Sequence, residues 1–401
     1  MRYRKPNLLC YRIAQLVCSV FARVIFRRQI LRNEIRDAKG PFVVIANHQA
    51  AYDFACLIGL TRRPMSFVIS NSFYQSLPIT GFLRRMGVIP KQQFQTTVSD
   101  MKEMKAVVDA GQPLVIYPAG LMCEDGLSTP IPGATYKFLK WLGVDVYVAR
   151  ISGTYFAMPK WGKGFRPGKT TLDVYKLICA EDLAAMDVER VHTLVDQALC
   201  YDAYREQEQL QVRYSSNIEG LENVLYLCPN CGQEHTMAVR NGDTIFCTAC
   251  GYAQRSDAYG FLHNDDGFGP RIRYVSDWSK MVYAKTESMV RSGALTELGA
   301  DCAIHMIDPA KHKFLPVGEG RLTLASDGFC IAGTIADEAV QLNISADGLP
   351  TLPFSPGKYL EVQDGKTIYR CVLQDGKLVM KFINLVKIRY QQKLAAVREK
   401  V

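Results

Sequence analysis

Short apolar runs punctuated by turn residues organise the first half of the chain. PFVVIAN at 41–47, GQPLVIYPAG at 111–120 and VDVYVARI at 144–151 each predict a strand. The segment from Tyr52 to Leu60 and the run YKFLKWLG at 136–143 predict helices between them. Strands alternating with helices imply an α/β domain with a largely parallel sheet. In such sheets the ligand crevice lies at the carboxyl ends of the strands.

The two ends of the chain carry a different pattern. Residues 7–30 predict one helix, rich in Leu, Ile, Val and Phe but interrupted by Arg12, Gln15 and Arg23. These polar and charged residues argue against a spanning helix and for one lying on a membrane surface, although a helix packed onto its own domain fits the pattern as well. Residues 181–220 are polar and helical, with the run YREQEQLQVRY, and lead out of the first domain. Further on, Ser276 is placed to cap a helix running to about 292. Asp-Gly pairs then sit between strand-like runs in RLTLASDGFCIAG, KYLEVQDGKTIYRCVL and VLQDGKLVMKF, each predicting a hairpin. FINLVKIRYQQKLAAVREK predicts a closing amphipathic helix. No internal repeat or low-complexity segment interrupts this order.

Composition sharpens the picture. Hydrophobic residues make up 48% of the 401 positions and charged residues 22%, which suits a folded protein of two to three domains. The formal net charge of +9 favours anionic partners such as a lipid headgroup surface or an acidic carrier protein. The first 36 residues are dense in Arg and Lys and hold a single acidic residue, Glu34. Arg12 and Arg23 break the early apolar run and no small-residue cleavage site follows it, so a cleavable signal peptide is not expected. With 13 cysteines, a reducing cytoplasmic location makes clustered cysteines metal ligands rather than disulfides.

Such a cluster lies in LCPNCGQEHTMAVRNGDTIFCTACGYA. Cys228, Cys231, Cys247 and Cys250 form two C-x2-C knuckles fifteen residues apart, with Asn241-Gly242 at the tip of the hairpin between them. Four thiolates at this spacing converge on a tetrahedral Zn2+, and a fully protein-ligated ion is structural. Arg240 is the only basic residue between the knuckles, so this zinc ribbon is not expected to bind nucleic acid. Cys123 stands apart from any activating group in sequence and is expected to be a small buried hydrophobe.

The stretch VVIANHQAAYD carries the candidate chemistry. His48 follows a strand directly, and Asp53 lies five residues later in the first turn of the next helix. A histidine can act as general base if a carboxylate fixes its tautomer and stabilises the imidazolium. Asn-His-x4-Asp after an apolar strand resembles the first motif of the PlsC-like glycerolipid (1-acylglycerol-3-phosphate) acyltransferases. GFLRRMGVIPK at 81–91, LVIYPAG at 114–120 and VDVYVARISG at 144–153 stand where that family has its second, third and fourth motifs. The resemblance covers about residues 35–180.

The resemblance implies an O-acyltransferase of phospholipid synthesis. His48 would deprotonate an acceptor hydroxyl, Asp53 would orient His48, and the oxygen would attack the thioester of acyl-CoA or an acyl carrier protein. Asn47 would shape the turn and, with Lys91 and Gly120, contact substrate. The third motif departs from the family pattern Pro-Glu-Gly-Thr-Arg: Ala119 and Met122 replace its Glu and Arg, and Gln93 stands near a usual basic position of the second motif. An acceptor other than lysophosphatidate, a different lysolipid or alcohol, is therefore open. So is a catalytically weakened lipid-binding or scaffold protein. A nucleic-acid-binding ribbon protein is the remaining alternative.

The expected organisation is an amphipathic membrane-associating helix (1–35), a PlsC-like α/β acyltransferase domain (36–220), a four-cysteine zinc ribbon (221–256), and a β-rich region with a helix at each end (257–401). The hairpins and closing helix of the last segment resemble a small PH or GRAM barrel. The expected location is cytoplasmic, peripheral on the inner face of the membrane, with the anionic lipid surface, a lysolipid acceptor and the acyl donor as partners.

Overall fold

Every residue of Phe42–Ala46 and Leu114–Ile116 is buried, as expected of central strands covered on both faces. They lie in the first of two compact units in the computed structural model, which describes residues 5–94 and 97–398. The first unit comprises Met1–Lys160 with Gly164–Ser215, and the second Trp161–Lys163 with Ser216–Val401.

The first unit runs α1 (Leu8–Val24), β1 (Gln29–Asn33), β2 (Phe42–Ala46), α2 (Asp53–Leu57), β3 (Ser66–Ser70), α3 (Asn71–Gln75), α4 (Thr80–Arg85) and β4 (Ile89–Lys91). It continues with α5 (Val98–Asp109), β5 (Leu114–Ile116), α6 (Ala134–Leu142), β6 (Asp145–Ser152), α7 (Thr154–Ala157), β7 (Thr171–Ile178), α8 (Ala180–Ala185), α9 (Val188–Leu199) and α10 (Ala203–Leu210). The seven strands form one sheet in the order β1-β7-β6-β2-β5-β3-β4, parallel except where β6 meets β7. Val43, Ile45, Leu114, Ile116, Val146 and Val148 form a core with Met104 and Val107 of α5, Leu139 of α6, and Val191 and Val195 of α9.

The N-terminal segment differs from the single helix expected over 7–30. Asn7 caps α1 through the Cys10 amide, and the helix ends by Ile25. Arg27 adopts a left-handed φ of 40°, and the chain then pairs as β1, parallel to β7. The helix is also inverted relative to a soluble amphipathic one. Its inward face is small or polar: Ala14 and Ala22 are buried, Tyr11 donates to the Ile58 carbonyl (3.3 Å), and Gln15 donates to the carbonyls of Ile58 (3.1 Å) and Thr61 (3.2 Å). Arg12 donates to the Arg62 carbonyl at 2.8 Å. Leu8, Leu9, Ile13, Leu16, Val17, Val20 and Val24 are exposed. Among the described residues, no helix is long and apolar enough to cross a membrane.

In the second unit, β8 (Met237–Arg240), β9 (Thr244–Cys247), β10 (Ala253–Ser256) and β11 (Leu262–His263) form an antiparallel sheet in the order β11-β10-β9-β8. The turn between β8 and β9 carries Asn241 and Gly242 at φ 54° and 76°, the conformation that Asn-Gly favours. Next come α11 (Val275–Arg291), β12 (Leu298–Asp308), β13 (Lys313–Ala325), β14 (Gly328–Ile335), β15 (Glu338–Ser345), β16 (Phe354–Ser355), β17 (Tyr359–Asp364), β18 (Thr367–Leu373) and α12 (Leu378–Arg398).

These last strands correct the barrel expectation. They form an open sheet, β15-β14-β13-β12-β18-β17-β16, and among the described residues no pairing joins its two edges. Two of the three Asp-Gly pairs make hairpins, at Asp327-Gly328 and Asp364-Gly365. Asp375-Gly376 instead leads into α12, where the Asp375 side chain accepts from the Lys377 amide. The β14–β15 hairpin turns at Ala336 and Asp337, with φ of 50° and 66°, residues that give no strong turn signal in sequence. Ser276 does not cap α11; it lies inside the helix and is buried, with Tyr274 at the cap position.

Candidate active site and metal centre

β2 delivers the candidate pair. Six residues separate its last residue, Ala46, from the start of α2 at Asp53, and the loop between them folds around the Asp53 carboxylate. Asp53 Oδ2 accepts from the amides of Gln49 (2.7 Å) and Ala50 (2.9 Å) and lies 3.0 Å from His48 Nδ1. A carboxylate oxygen only accepts, so this contact places the ring proton on Nδ1 and leaves the Nε2 lone pair free. Asp53 is fully enclosed, whereas the His48 side chain is 18% exposed. His48 is therefore the member of the pair that a molecule from outside could reach.

The neighbouring segments hold this loop rigid. The Asn47 amide is committed at both ends, donating to the Ile151 carbonyl (2.7 Å) and accepting from the Ile151 amide (2.7 Å), so it locks the loop onto β6. Asn47 also lines the cavity described below, while the polar atoms of its side chain bond to the backbone. Gln49 Oε1 accepts from Thr154 and from the Tyr155 amide. The His48 carbonyl accepts from the Cys123 amide (3.1 Å) and the Tyr201 hydroxyl (3.4 Å). The Tyr117 ring stacks on His48 at 4.3 Å between centroids and 26° between planes. Sequence reading missed Tyr117 because an apolar strand end followed by Pro gives no sign that its ring covers the histidine. Cys123 is buried, and burial pushes its thiol well above the ordinary range, which fits an inert cysteine.

Next to His48 lies a cavity of about 150 Å³. Ala46, Asn47 and His48 form one side; Pro118, Ala119, Leu121 and Ser128–Ile131 form another; and Asp196, Leu199, Cys200 and Tyr201 close it. No Lys or Arg is in this lining. Its only carboxylate, Asp196, accepts from the Tyr136 hydroxyl at 2.5 Å and pairs with His192 at 3.1 Å.

The remaining predicted residues gather at the same strand ends. Gly120 turns the chain after β5 with φ +72°, and its carbonyl accepts from Gln93 Nε2 at 2.6 Å. Phe94 lies against Gly120, so the segment after β4 meets the segment after β5. Lys91 ends β4 at the sheet edge and is half-buried; burial lowers its ammonium from the usual range. It is not in the cavity lining. The Met122 carbonyl accepts from Lys160 at 3.4 Å, a cation that sequence reading did not single out.

In the second unit, Cys228, Cys231, Cys247 and Cys250 converge, all four Sγ atoms within 4.8 Å of one another. The Sγ atoms of Cys228 and Cys250 are 3.7 Å apart, and those of Cys231 and Cys247 3.8 Å. Asn230 Nδ2 lies 3.5 Å from Cys250 Sγ, and the Cys231 amide 3.5 Å from Cys228 Sγ. At Cys247, burial acts upward, but the Thr236 hydroxyl 3.3 Å away and the amides of Cys250 and Ala249 bring the thiol down to about 6. Four such sulfurs could hold a metal ion.

With this geometry described, comparison with known proteins places the first unit. Residues 27–163 match the family model Acyltransferase. Among solved structures, the chain is similar to the 1-acyl-sn-glycerophosphate (LPA) acyltransferase PlsC from Thermotoga maritima. That likeness has a TM-score of 0.43 and 19% identity, over 51% of this chain and 81% of that one. None of the curated proteins matches the chain. The His48–Asp53 pair thus lies within residues 27–163, the segment that matches the Acyltransferase family model.

Proposed function

We propose that the protein transfers a fatty acyl group from a thioester, acyl-CoA or an acyl carrier protein, to the hydroxyl of a lysolipid, working as a peripheral membrane enzyme of phospholipid synthesis. The observation that carries this reading is the His48–Asp53 contact, closed on one side by protein and open on the other to a cavity. His48 Nε2 takes the proton of the acceptor hydroxyl as its oxygen attacks the thioester carbonyl. The tetrahedral adduct then collapses, the C–S bond breaks, and the departing thiolate takes that proton back. Asp53 stabilises the intervening imidazolium.

The cavity bears on the acceptor. Without a Lys or Arg in its lining, and with Asp196 present, it offers an anion no charge-assisted hydrogen bond. Such bonds contribute about 1.5–3 kcal/mol, so a lysolipid presenting a neutral or zwitterionic group here should be preferred over lysophosphatidate by roughly 10- to 100-fold in kcat/KM. Initial rates with labelled acyl-CoA and a panel of lysophosphatidate, lysophosphatidylcholine, lysophosphatidylethanolamine and monoacylglycerol measure this. A clear preference for lysophosphatidate would contradict the acceptor assignment. Absence of transfer to any acceptor would favour the lipid-binding alternative.

The outward apolar face of α1 supports membrane attachment, with exposed Lys5, Arg23 and Arg27 placed to meet anionic headgroups. Replacing both Leu16 and Val20 by Glu should lower partitioning onto vesicles of phosphatidylglycerol and phosphatidylethanolamine by about 10-fold or more, since each side chain loses on the order of 1 kcal/mol of burial. Both residues are exposed in the folded chain, so the melting temperature should stay within a degree or two. Unchanged flotation of the double variant would refute this attachment.

The four-cysteine site is proposed to hold structural Zn2+. With Zn–S near 2.3 Å, a tetrahedron has edges of about 3.8 Å, and the Sγ separations of 3.7 and 3.8 Å fit it.

A further inference from the structure

Two polar atoms at the candidate pair have no hydrogen-bond partner among the described residues. One is Asp53 Oδ1: all three contacts to this carboxylate fall on Oδ2. The other is the Tyr117 hydroxyl, which is likewise enclosed. One is an acceptor and the other a donor. Leaving both enclosed and unpaired is costly, and joining them removes both penalties.

Their surroundings bring them together. Tyr117 follows β5, whose last residue Ile116 is in register with Ile45 of β2, so it sits beside the loop that carries His48 and Asp53. Its ring covers one face of the His48 imidazole. Burial raises the Tyr117 hydroxyl well above its usual range, and the Asp53 carboxylate is the next largest cause, which marks the two groups as electrostatic neighbours. The other titratable groups facing this centre are Cys56 of α2, Tyr201 after α9, and Cys123 and Asp125 of the loop that closes over His48.

We infer that Tyr117 is a positioning residue for the pair: its ring fixes the plane of the His48 imidazole, and its hydroxyl supplies the hydrogen bond to Asp53 Oδ1 through one enclosed water. The inference rests on the proposed roles of His48 and Asp53 and adds a third member acting through them. Each Asp53 oxygen then has a fixed donor, and the imidazole is held at Nδ1 and on one face, leaving Nε2 toward the cavity. The ring and the hydroxyl make separable contributions. Without the hydroxyl, Asp53 keeps more negative charge for His48, which favours the imidazolium and removes free base at low pH. Without the ring, the imidazole plane loosens while substrate binding is untouched.

Two variants of the full-length protein test this. Tyr117→Phe keeps the stack and removes the donor. The acid limb of its kcat/KM profile should move to higher pH by roughly half a unit, and the His48 Nδ1–H proton, followed by NMR in 15N-histidine-labelled protein and assigned with His48→Ala, should change its exchange rate severalfold. Tyr117→Leu removes the stack and should lower kcat about tenfold at nearly unchanged KM. The NMR readout needs no turnover, so it separates failure of this inference from failure of the proposed activity. A Tyr117→Phe protein with a higher melting temperature and a wild-type Nδ1–H signal would overturn the inference, because the hydroxyl would then have been an unpaired group. So would a wild-type acid limb, wherever turnover is measurable.

Discussion

His48→Ala is expected to lower kcat/KM for acyl transfer by about 10²- to 10⁴-fold, the usual contribution of a positioned general base. KM for the thioester should move little, because the imidazole acts on the acceptor hydroxyl. Asp53→Asn should cost nearly as much: the amide cannot accept from both loop amides and His48 Nδ1 as the carboxylate does, and it can donate to the ring and impose the wrong tautomer. The double variant should be scarcely worse than either single one, since two residues acting as a unit are not additive. Steady-state rates of the three variants, measured on protein of verified fold, check this. Costs that multiply in the double variant would show that the residues work independently. Asp53→Ala is the less informative change, because it strips partners from the Gln49 and Ala50 amides and also costs stability, about 1–3 kcal/mol for each donor left unpaired.

The second large effect belongs to the cysteine cluster. Purified protein should carry one zinc per chain, and Cys247→Ser should carry none. The strands that bring the sulfurs together, β8, β9 and β10, are four residues each. Sheets of this size form poorly alone, so the proposed metal–thiolate bonds should supply much of the local folding free energy. Losing them should cost the second unit several kcal/mol and lower its unfolding temperature by on the order of 10 °C. Elemental analysis paired with calorimetry, with and without a strong chelator, measures both. Metal-free protein with an unchanged melting profile would contradict a structural role.

The features legible in sequence were those set by short-range spacing. A strand, a His and an Asp five residues on yielded the pair because one tight loop suffices to close it, and two C-x2-C knuckles around Asn-Gly yielded the sulfur cluster because one hairpin closes it. The parallel sheet followed from apolar runs separated by helical segments. What depended on distant backbone was not legible. The inverted face of α1 arises because Tyr11, Gln15 and Arg12 find carbonyls at Ile58, Thr61 and Arg62, some fifty residues away. The bonds that tie both ends of the Asn47 amide to Ile151, about a hundred residues away, are equally invisible in sequence. Strand signals in the last third of the chain were sound, but closure of a sheet depends on whether its edge strands meet. Among the described residues no pairing joins them, and Asp375-Gly376 opens a helix instead of a turn. Tyr117 carries no signal in sequence, because its place over His48 comes from the register of β5 against β2.

The altered third segment keeps its place in the fold while changing its chemistry. Gly120 still makes its left-handed turn, now tied to Gln93, and Ala119 lines the cavity where a longer acidic residue would narrow it. No Lys or Arg is among the residues lining this cavity.

The most direct test of the central claim is transfer of a labelled acyl group from acyl-CoA to lysophosphatidylethanolamine, measured side by side for wild-type and His48→Ala proteins that are folded, metal-loaded and bound to vesicles. Formation of diacylated product by the wild type, with stoichiometric release of CoA and loss of at least a hundredfold in the variant, is the predicted result. Equal product formation by the two proteins would contradict the account, because acyl transfer would then proceed without the proposed base.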